Sequence, residues 1–341
     1  MGGIERFLMG MYKNLDRTRY QFDFVVHSPE ENYFEPEIQE MGGRVYHLSP
    51  KAKHLFKYKK ELMEVMKNYH VVHIHSSYAF SYFEAKWAKQ LGKKVIVHSH
   101  SSKQLGKKLL VHQLLKRGLN SNIDVKCAVS REAAQFMFTR NSTVKLIFGF
   151  DIRKFVFSKE NRDAIRKKIS VAPNEYLVGC VARMDDQKDP LYTNEIFKRL
   201  AGVRGVKCVF IGDGKYKESI MQQDQGSGII FTGNVREPEK YLSALDAYVL
   251  PTRYEGIATS IIEAEINGLR VYSSQEGTPS EAKISNNLTV LSKQNVDEWG
   301  QRILADREKE PHRTVALQEY ANFDIVKCTR DMEEIYNQWL S

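Results

Sequence analysis

Short apolar runs alternate with longer amphipathic stretches along most of this chain. In the first half the runs fall at 22–27, 44–48, 71–75, 95–98, 125–129 and 144–148, and in the second half at 176–181, 206–211, 229–232, 247–250, 270–272 and 289–291. Most are continuous Val/Ile/Leu runs, not strict apolar–polar alternations, which predicts parallel strands buried on both faces. The segments between them read as helices, for example 61–69, 81–91, 191–200, 238–245 and 261–267. Repeated strand–helix units predict an α/β protein with doubly wound parallel sheets. Residues 151–170 are charged and lack apolar runs, which sets a boundary there, and a helix is predicted over 326–340, where Met332, Ile335, Tyr336, Trp339 and Leu340 recur at helical spacing. A length of 341 residues also exceeds what one core usually serves. The expected organisation is a domain over 1–150, a second over 151–324, and a closing helix over 325–341 that packs back on the first. A doubly wound domain usually opens with a strand feeding its first glycine loop. Here Gly2-Gly3 stand directly before a helical stretch at 4–15, so the N-terminal domain is expected to lack its first strand.

Composition narrows the class. No run approaches the roughly 18 apolar residues of a membrane span, and Met1–Arg6 lacks the charged-then-apolar layout of a secretory leader. Cys127, Cys180, Cys208 and Cys328 are far apart and form neither a CxxC pair nor a disulfide ladder, which points to a reducing cytosol. Charge is uneven. Residues 1–150 hold 24 Lys/Arg against 13 Asp/Glu, while the remainder holds 27 against 29. A basic half suits an anionic partner (nucleic acid, an anionic membrane face or a phosphorylated acceptor) or is a plain solvated surface. Lys103, Lys107, Lys108, Lys116 and Arg117 interleave with Leu105, Leu109, Leu110, Leu114 and Leu115, and 51–60 is also Lys-rich. A basic amphipathic helix of this kind can lie on an anionic leaflet.

Candidate chemistry clusters in the second half. Tyr254-Glu255-Gly256 follow the run 247–250, and Glu263 stands eight residues after Glu255 in the next helix. Both carboxylates can point into the crevice at the carboxyl ends of the strands. The backbone N–H groups of Ile257, Ala258 and Thr259 at that helix start suit a diphosphate. The plain alternative is one glutamate at an exposed turn and another on a helix surface. Arg183 and Lys188 follow the run 176–181 and would stabilise a diphosphate leaving group, or are ordinary surface cations. Gly212-Asp213-Gly214 closes the run 206–211, where glycine lets backbone approach a ligand closely. In the first half, His98-Ser-His100 and His73-Ile-His75 place histidines two apart on strands, a spacing that suits a metal, an active-site role or structural packing. No acidic ligand cluster accompanies them.

The order strand–Arg–Lys, strand–Gly-Asp-Gly, strand–Thr-Gly-Asn, strand–Pro-Thr-x-Tyr-Glu-Gly and helix with Glu-Ala resembles the retaining glycosyltransferases of the GT-B fold, family 4, with the capsular and exopolysaccharide branch nearest. The resemblance spans nearly the whole chain and is strongest from Val181 to Gly268. It implies two Rossmann-like domains facing a cleft. It implies that Arg183 and Lys188 bind the donor diphosphate, that Glu255 lies near the transferred sugar and Glu263 at the ribose, and that Val235 flanks the base. Gly3 would belong to a glycine loop near the donor phosphates, Gly212, Gly256, Ile257, Ala258 and Thr259 would line the donor, and His100 would lie near the reacting sugar. The implied reaction is a metal-independent hexosyl transfer from a nucleotide-diphosphate sugar, a UDP-sugar by analogy, to a lipid-linked glycan. The leaving phosphate helps deprotonate the acceptor. No cofactor, resident metal or nucleic acid is expected. The expected location is cytoplasmic, on the inner face of the membrane. The chain departs from the family's pattern at Phe148, where Asn is common, at Ala182, where Gly is common, and at Ile257–Thr259, where a proline is usual. Two other classes stand beside this one: a non-catalytic nucleotide-sugar-binding or scaffold relative, and a metal-dependent hydrolase built on the His-x-His strands.

Overall fold

The structure is a computed structural model that describes residues 3–27, 33–51, 53–103, 106–224, 226–308, 313 and 315–339; Gly2, Leu105 and Leu340 lie outside them. The chain divides into two units, residues 1–150 with 322–341 and residues 151–321.

In the first unit the order is α1 (Gly3–Asn14), β1 (Phe24–Val26), α2 (Glu35–Glu40), β2 (Val45–His47), α3 (Leu55–Met66), β3 (Val71–Ser76), α4 (Tyr82–Gln90), β4 (Lys94–Ser99), α5 (Lys107–Asn120), β5 (Val125–Ala128), α6 (Arg131–Met137) and β6 (Lys145–Leu146). The strands form two parallel sheets, β1-β2 and β3-β4-β5-β6, and no strand pair joins them among the described residues. Aromatic residues of α1 touch both. Tyr12 stacks on Phe22 and meets Phe24 edge-on, while Phe7 meets His75 and His98 edge-on. β4 shows why its run is continuous: from Val95 to Ser99 every residue is buried, so both faces are covered.

In the second unit the order is α7 (Lys159–Lys168), β7 (Tyr176–Val181), α8 (Pro190–Ala201), β8 (Val206–Ile211), α9 (Lys217–Gln223), β9 (Ile230–Phe231), α10 (Pro238–Ala244), β10 (Ala247–Leu250), α11 (Thr259–Ile266), β11 (Arg270–Ser274), β12 (Leu288–Leu291) and α12 (Val296–Asp306). Its six parallel strands lie in the order β12-β11-β10-β7-β8-β9. The chain moves outward one way from β7 and the other way from β10. The carboxyl ends of these two strands form the switch point, the usual ligand position in open α/β sheets. A last helix, α13 (Ile325–Asn337), belongs to the first unit and packs on α1. Ile325, Cys328, Thr329, Met332, Ile335 and Tyr336 form its buried face, and the Asp324 carboxylate caps it by accepting the Val326 N–H at 2.9 Å.

All twelve predicted strands are present. Two stretches depart from the sequence reading. α3 starts at Leu55, not 61, because Tyr58, Leu62 and Met66 continue one buried stripe through the lysine-rich segment. The charged stretch 151–170, read as a domain boundary without apolar runs, contains α7: Ser158 caps it by accepting the Asn161 N–H at 3.1 Å, and Arg162 and Arg166 reach Asp246 at 2.6 and 2.5 Å. No helix among the described residues is long and apolar enough to cross a membrane.

Candidate active site

β7 and β10, the two strands at the switch point, each run into a loop that carries a charged residue singled out from the sequence. After β7 the chain passes Ala182 and Arg183, and the Asp185 Oδ1 accepts the N–H groups of Gln187 at 3.1 Å and Lys188 at 3.2 Å. This side-chain turn presents Lys188 to the loop after β10. There the Lys188 Nζ meets Glu255 Oε1 at 2.6 Å, with the lysine side chain 16% and the glutamate 6% exposed. Thr252 Oγ1 donates to the same Glu255 oxygen at 2.8 Å, and Gln187 Nε2 donates to the other at 3.0 Å. Glu255 is therefore buried and held by three donors, unlike an exposed turn glutamate. Arg183 stands apart: its side chain is 71% exposed and reaches Asp185 at 3.1 Å.

The turn after β8 lies against this loop. Gly212 has φ +140°, and a Cβ there would stand 2.1 Å from the Ala182 carbonyl oxygen; at Gly214, with φ +155°, it would stand 2.6 Å from that of Met184. Only glycine allows this approach. On the other side, Asp189 leads into α8 in a left-handed conformation and takes hydrogen bonds from Arg253 Nε at 2.9 Å and from Lys293. Burial alone would raise its carboxyl, but these two cations outweigh burial and hold it below the ordinary aspartate value.

Beyond Gly256 the chain turns into α11. Ile257 and Ala258 are buried and Thr259 is the first helical residue. Ala258, at the N-cap, has φ 54°, ψ 53°, offers no side-chain cap, and is followed by a first turn without acidic residues. A left-handed alanine costs roughly 1–2 kcal/mol. The helix end thus presents its dipole with no anionic side chain of its own to meet it. Glu263 is buried on α11. Burial, with smaller pushes from Cys180, Glu263 and Glu255, raises the Tyr248 phenol well above its ordinary value, and its hydroxyl donates to the Val181 carbonyl at 3.1 Å. Val235, half-buried, lies in the loop between β9 and α10.

The remaining two singled-out residues stand in the first unit. His100 follows β4, with its Nε2 2.8 Å from His75 Nδ1, and burial pushes its imidazole well below the ordinary value. Gly3 is the first residue of α1, so it is helical and not in a loop. The sequence reading missed Asp185, Gln187 and Thr252. All three lie inside the stretches already marked, but no spacing rule distinguishes an orienting polar residue from a solvated one.

Two family profiles match the chain. One, described as Glycosyltransferase Family 4, matches residues 1–144, and the other, described as Glycosyl transferases group 1, matches residues 175–305. The chain belongs to the family 4 glycosyltransferases. This glycosyltransferase is 24% identical over 288 residues to EpsF of Bacillus subtilis (strain 168), named as a glycosyltransferase, an alignment that spans 79% of this chain and 74% of that one. It is 22% identical over 351 residues to the capsular polysaccharide biosynthesis glycosyltransferase CapH of Staphylococcus aureus, spanning 98% and 95%. Among solved structures, Anabaena HepE in complex with UDP and glucose superposes with a TM-score of 0.81 at 17% identity, covering 98% of this chain and 96% of that one. The fold is therefore GT-B, and the two units carry glycosyltransferase domains.

Proposed function

We propose that this glycosyltransferase moves a hexose, with retained anomeric configuration, from a uridine diphosphate sugar to a lipid-linked glycan, and that the transfer step uses no metal. The observation that carries this reading is the Lys188–Glu255 pair at the β7/β10 switch point, beside the uncapped start of α11. Arg183 and Lys188 supply the two positive charges that a metal ion supplies elsewhere. The N–H groups of Ile257, Ala258 and Thr259 take the phosphate oxygens, with Gly212 and Gly256 leaving room for them. Glu255, fixed by Thr252 and Gln187, accepts a hydroxyl of the transferred sugar, and Glu263 accepts from the ribose. Val235 lies against the base through its backbone. That HepE was crystallised with UDP supports uridine as the base.

In the reaction the bond from C1 of the sugar to the β-phosphate oxygen breaks, and the acceptor oxygen bonds C1 from the same face. The acceptor proton passes to the departing phosphate. The growing charge on that phosphate is met by Arg183 and Lys188, so most of the rate enhancement is orientation and charge stabilisation. The acceptor is lipid-linked and the enzyme works at the cytoplasmic face of a membrane. Supporting this, α5 exposes Leu110 (62%) and Leu114 (81%) among Lys107, Lys108 and Arg117, and α3 exposes Phe56 (90%) beside Lys57.

The test is a transfer assay with UDP-sugars and undecaprenyl-type acceptors, read by release of UDP and by the anomeric proton coupling of the product. Transfer with the donor's configuration, unchanged when magnesium or manganese is added or left out, is the expected result. Inversion, or dependence of turnover on added magnesium or manganese, would overturn it. A chain that neither hydrolyses nor transfers any donor would be a binding or scaffold relative.

A further inference from the structure

We infer that the first unit holds a structural divalent transition-metal ion, zinc by preference, on His73, His75 and His98. β3 and β4 pair in parallel with His75 directly opposite His98, and His73 lies two residues earlier on β3. Residues two apart on a strand share a face, so the three rings project from one side of the sheet. One ring nitrogen from each lies within 4.8 Å of the others; His98 stacks on His73 and His75 at 5.6 and 5.2 Å between ring centroids, so the rings would turn their lone pairs inward on taking the ion.

The second set of contacts is already in place. His98 is fully buried, and its Nε2 lies 2.7 Å from the Ile147 carbonyl, which can only accept. That fixes the tautomer: Nε2 carries the proton and Nδ1 a lone pair, yet this buried Nδ1 has no hydrogen-bond partner. His73 Nδ1 is 2.8 Å from the Tyr336 hydroxyl on α13, and its buried Nε2 is also without a partner; the phenol oxygen can accept the Nδ1–H, which is the tautomer that leaves a lone pair on Nε2 for an ion. His75 is oriented by His100. A carbonyl, a phenol and an imidazole behind the three rings are the outer-shell partners that metal-ligating histidines normally have. Two orphaned nitrogens in one buried cluster are costly unless something fills them. Phe7 lies edge-on to His75 and His98 at 6.1 and 5.4 Å and helps keep water out. Three imidazoles and no carboxylate suit zinc, nickel or copper ions and not magnesium or calcium, and a water or anion would complete the coordination. The ion would tie β3 to β4 and, through Tyr336 and Ile147, to α13 and the segment after β6.

The three histidines belong to the first unit, whereas Arg183, Lys188, Glu255 and Glu263 all belong to the second, so either reading can fail without the other. The test uses the tag-free chain, stripped with chelator and reloaded. One zinc per chain should survive desalting, zinc but not magnesium should raise Tm, and cobalt should give the visible absorption of a four-coordinate site. His73→Gln and His75→Gln should each weaken zinc binding roughly 10-fold or more and abolish the Tm rise. Substoichiometric zinc, or binding unchanged in both variants, would overturn the assignment. Should neither variant fold, the imidazole nitrogen resonances of the wild-type chain decide. Zinc must then shift those of His73, His75 and His98 and leave His112, buried elsewhere in this unit, unmoved; the reverse pattern sinks the site.

Discussion

Arg183 and Lys188 are cations on one loop with the same proposed task but different surroundings. The Arg183 side chain is 71% exposed, whereas Lys188 neutralises a Glu255 that is only 6% exposed. Replacing either by alanine should lower kcat by about 100-fold or more, since each removes charge stabilisation from the leaving phosphate. Stability should separate them. Lys188→Ala leaves a buried carboxylate without its cation and should cost roughly 3 kcal/mol in urea unfolding, while Arg183→Ala should cost under about 0.5 kcal/mol. Equal losses of stability would contradict the geometry. Glu265 on α11 carries a different prediction. It is fully buried with one oxygen unpartnered, and burial, opposed by hydrogen bonds from Ser285, pushes its carboxyl from the ordinary 4.5 up to about 7. The folded state thus holds a proton that the unfolded chain releases. The contribution is fully present below about 4.5 and lost as pH rises through about 7, to a total of up to ~3 kcal/mol. Glu265→Gln should remove that slope, so its stability relative to wild type should improve from about pH 5 to about pH 8. A variant whose relative stability falls over that range would refute this reading of Glu265.

At the scale of elements, α3 and α5 carry the membrane proposal. Their exposed Phe56, Leu110 and Leu114 gain nothing from water, and burying each in a leaflet is worth roughly 1.5–3 kcal/mol. Cosedimentation with vesicles rich in anionic lipid should fall at least 10-fold in a Phe56→Ser, Leu110→Ser, Leu114→Ser variant, and further when Lys107 and Lys108 are also neutralised. Unchanged binding in both would remove these helices from any membrane contact. The strands were the most legible elements, because a run such as Val206–Ile211 is buried on both faces and needs no phase to be recognised. Helices were legible where a stripe was clean, as in α13, and hidden where charge masked it. The α7 pattern holds few apolar residues because two of its anchoring side chains, Arg162 and Arg166, bond to Asp246 from 80 residues or more away. That contact exists only after folding. In the same way Glu255 and Glu263 were legible as a spaced pair, but the Asp185 turn and the Gln187 and Thr252 donors that hold Glu255 depend on three-dimensional neighbours.

At the scale of the molecule, the charge imbalance and the chemistry are divided between the units. The basic first unit carries the exposed apolar helices and the histidine cluster, and the near-neutral second unit carries the candidate diphosphate grip. The central claim is that this second unit holds a nucleotide by its diphosphate. Calorimetric titration of the whole chain with UDP and, separately, with uridine tests that most directly, because the two ligands differ only in the group that Arg183, Lys188 and the start of α11 are proposed to hold. UDP should bind at one site per chain at least 100-fold more tightly than uridine, a gap of about 2.7 kcal/mol, and Arg183→Ala should narrow that gap by about 10-fold. Equal affinity for UDP and uridine, or no measurable binding of either, would contradict the account.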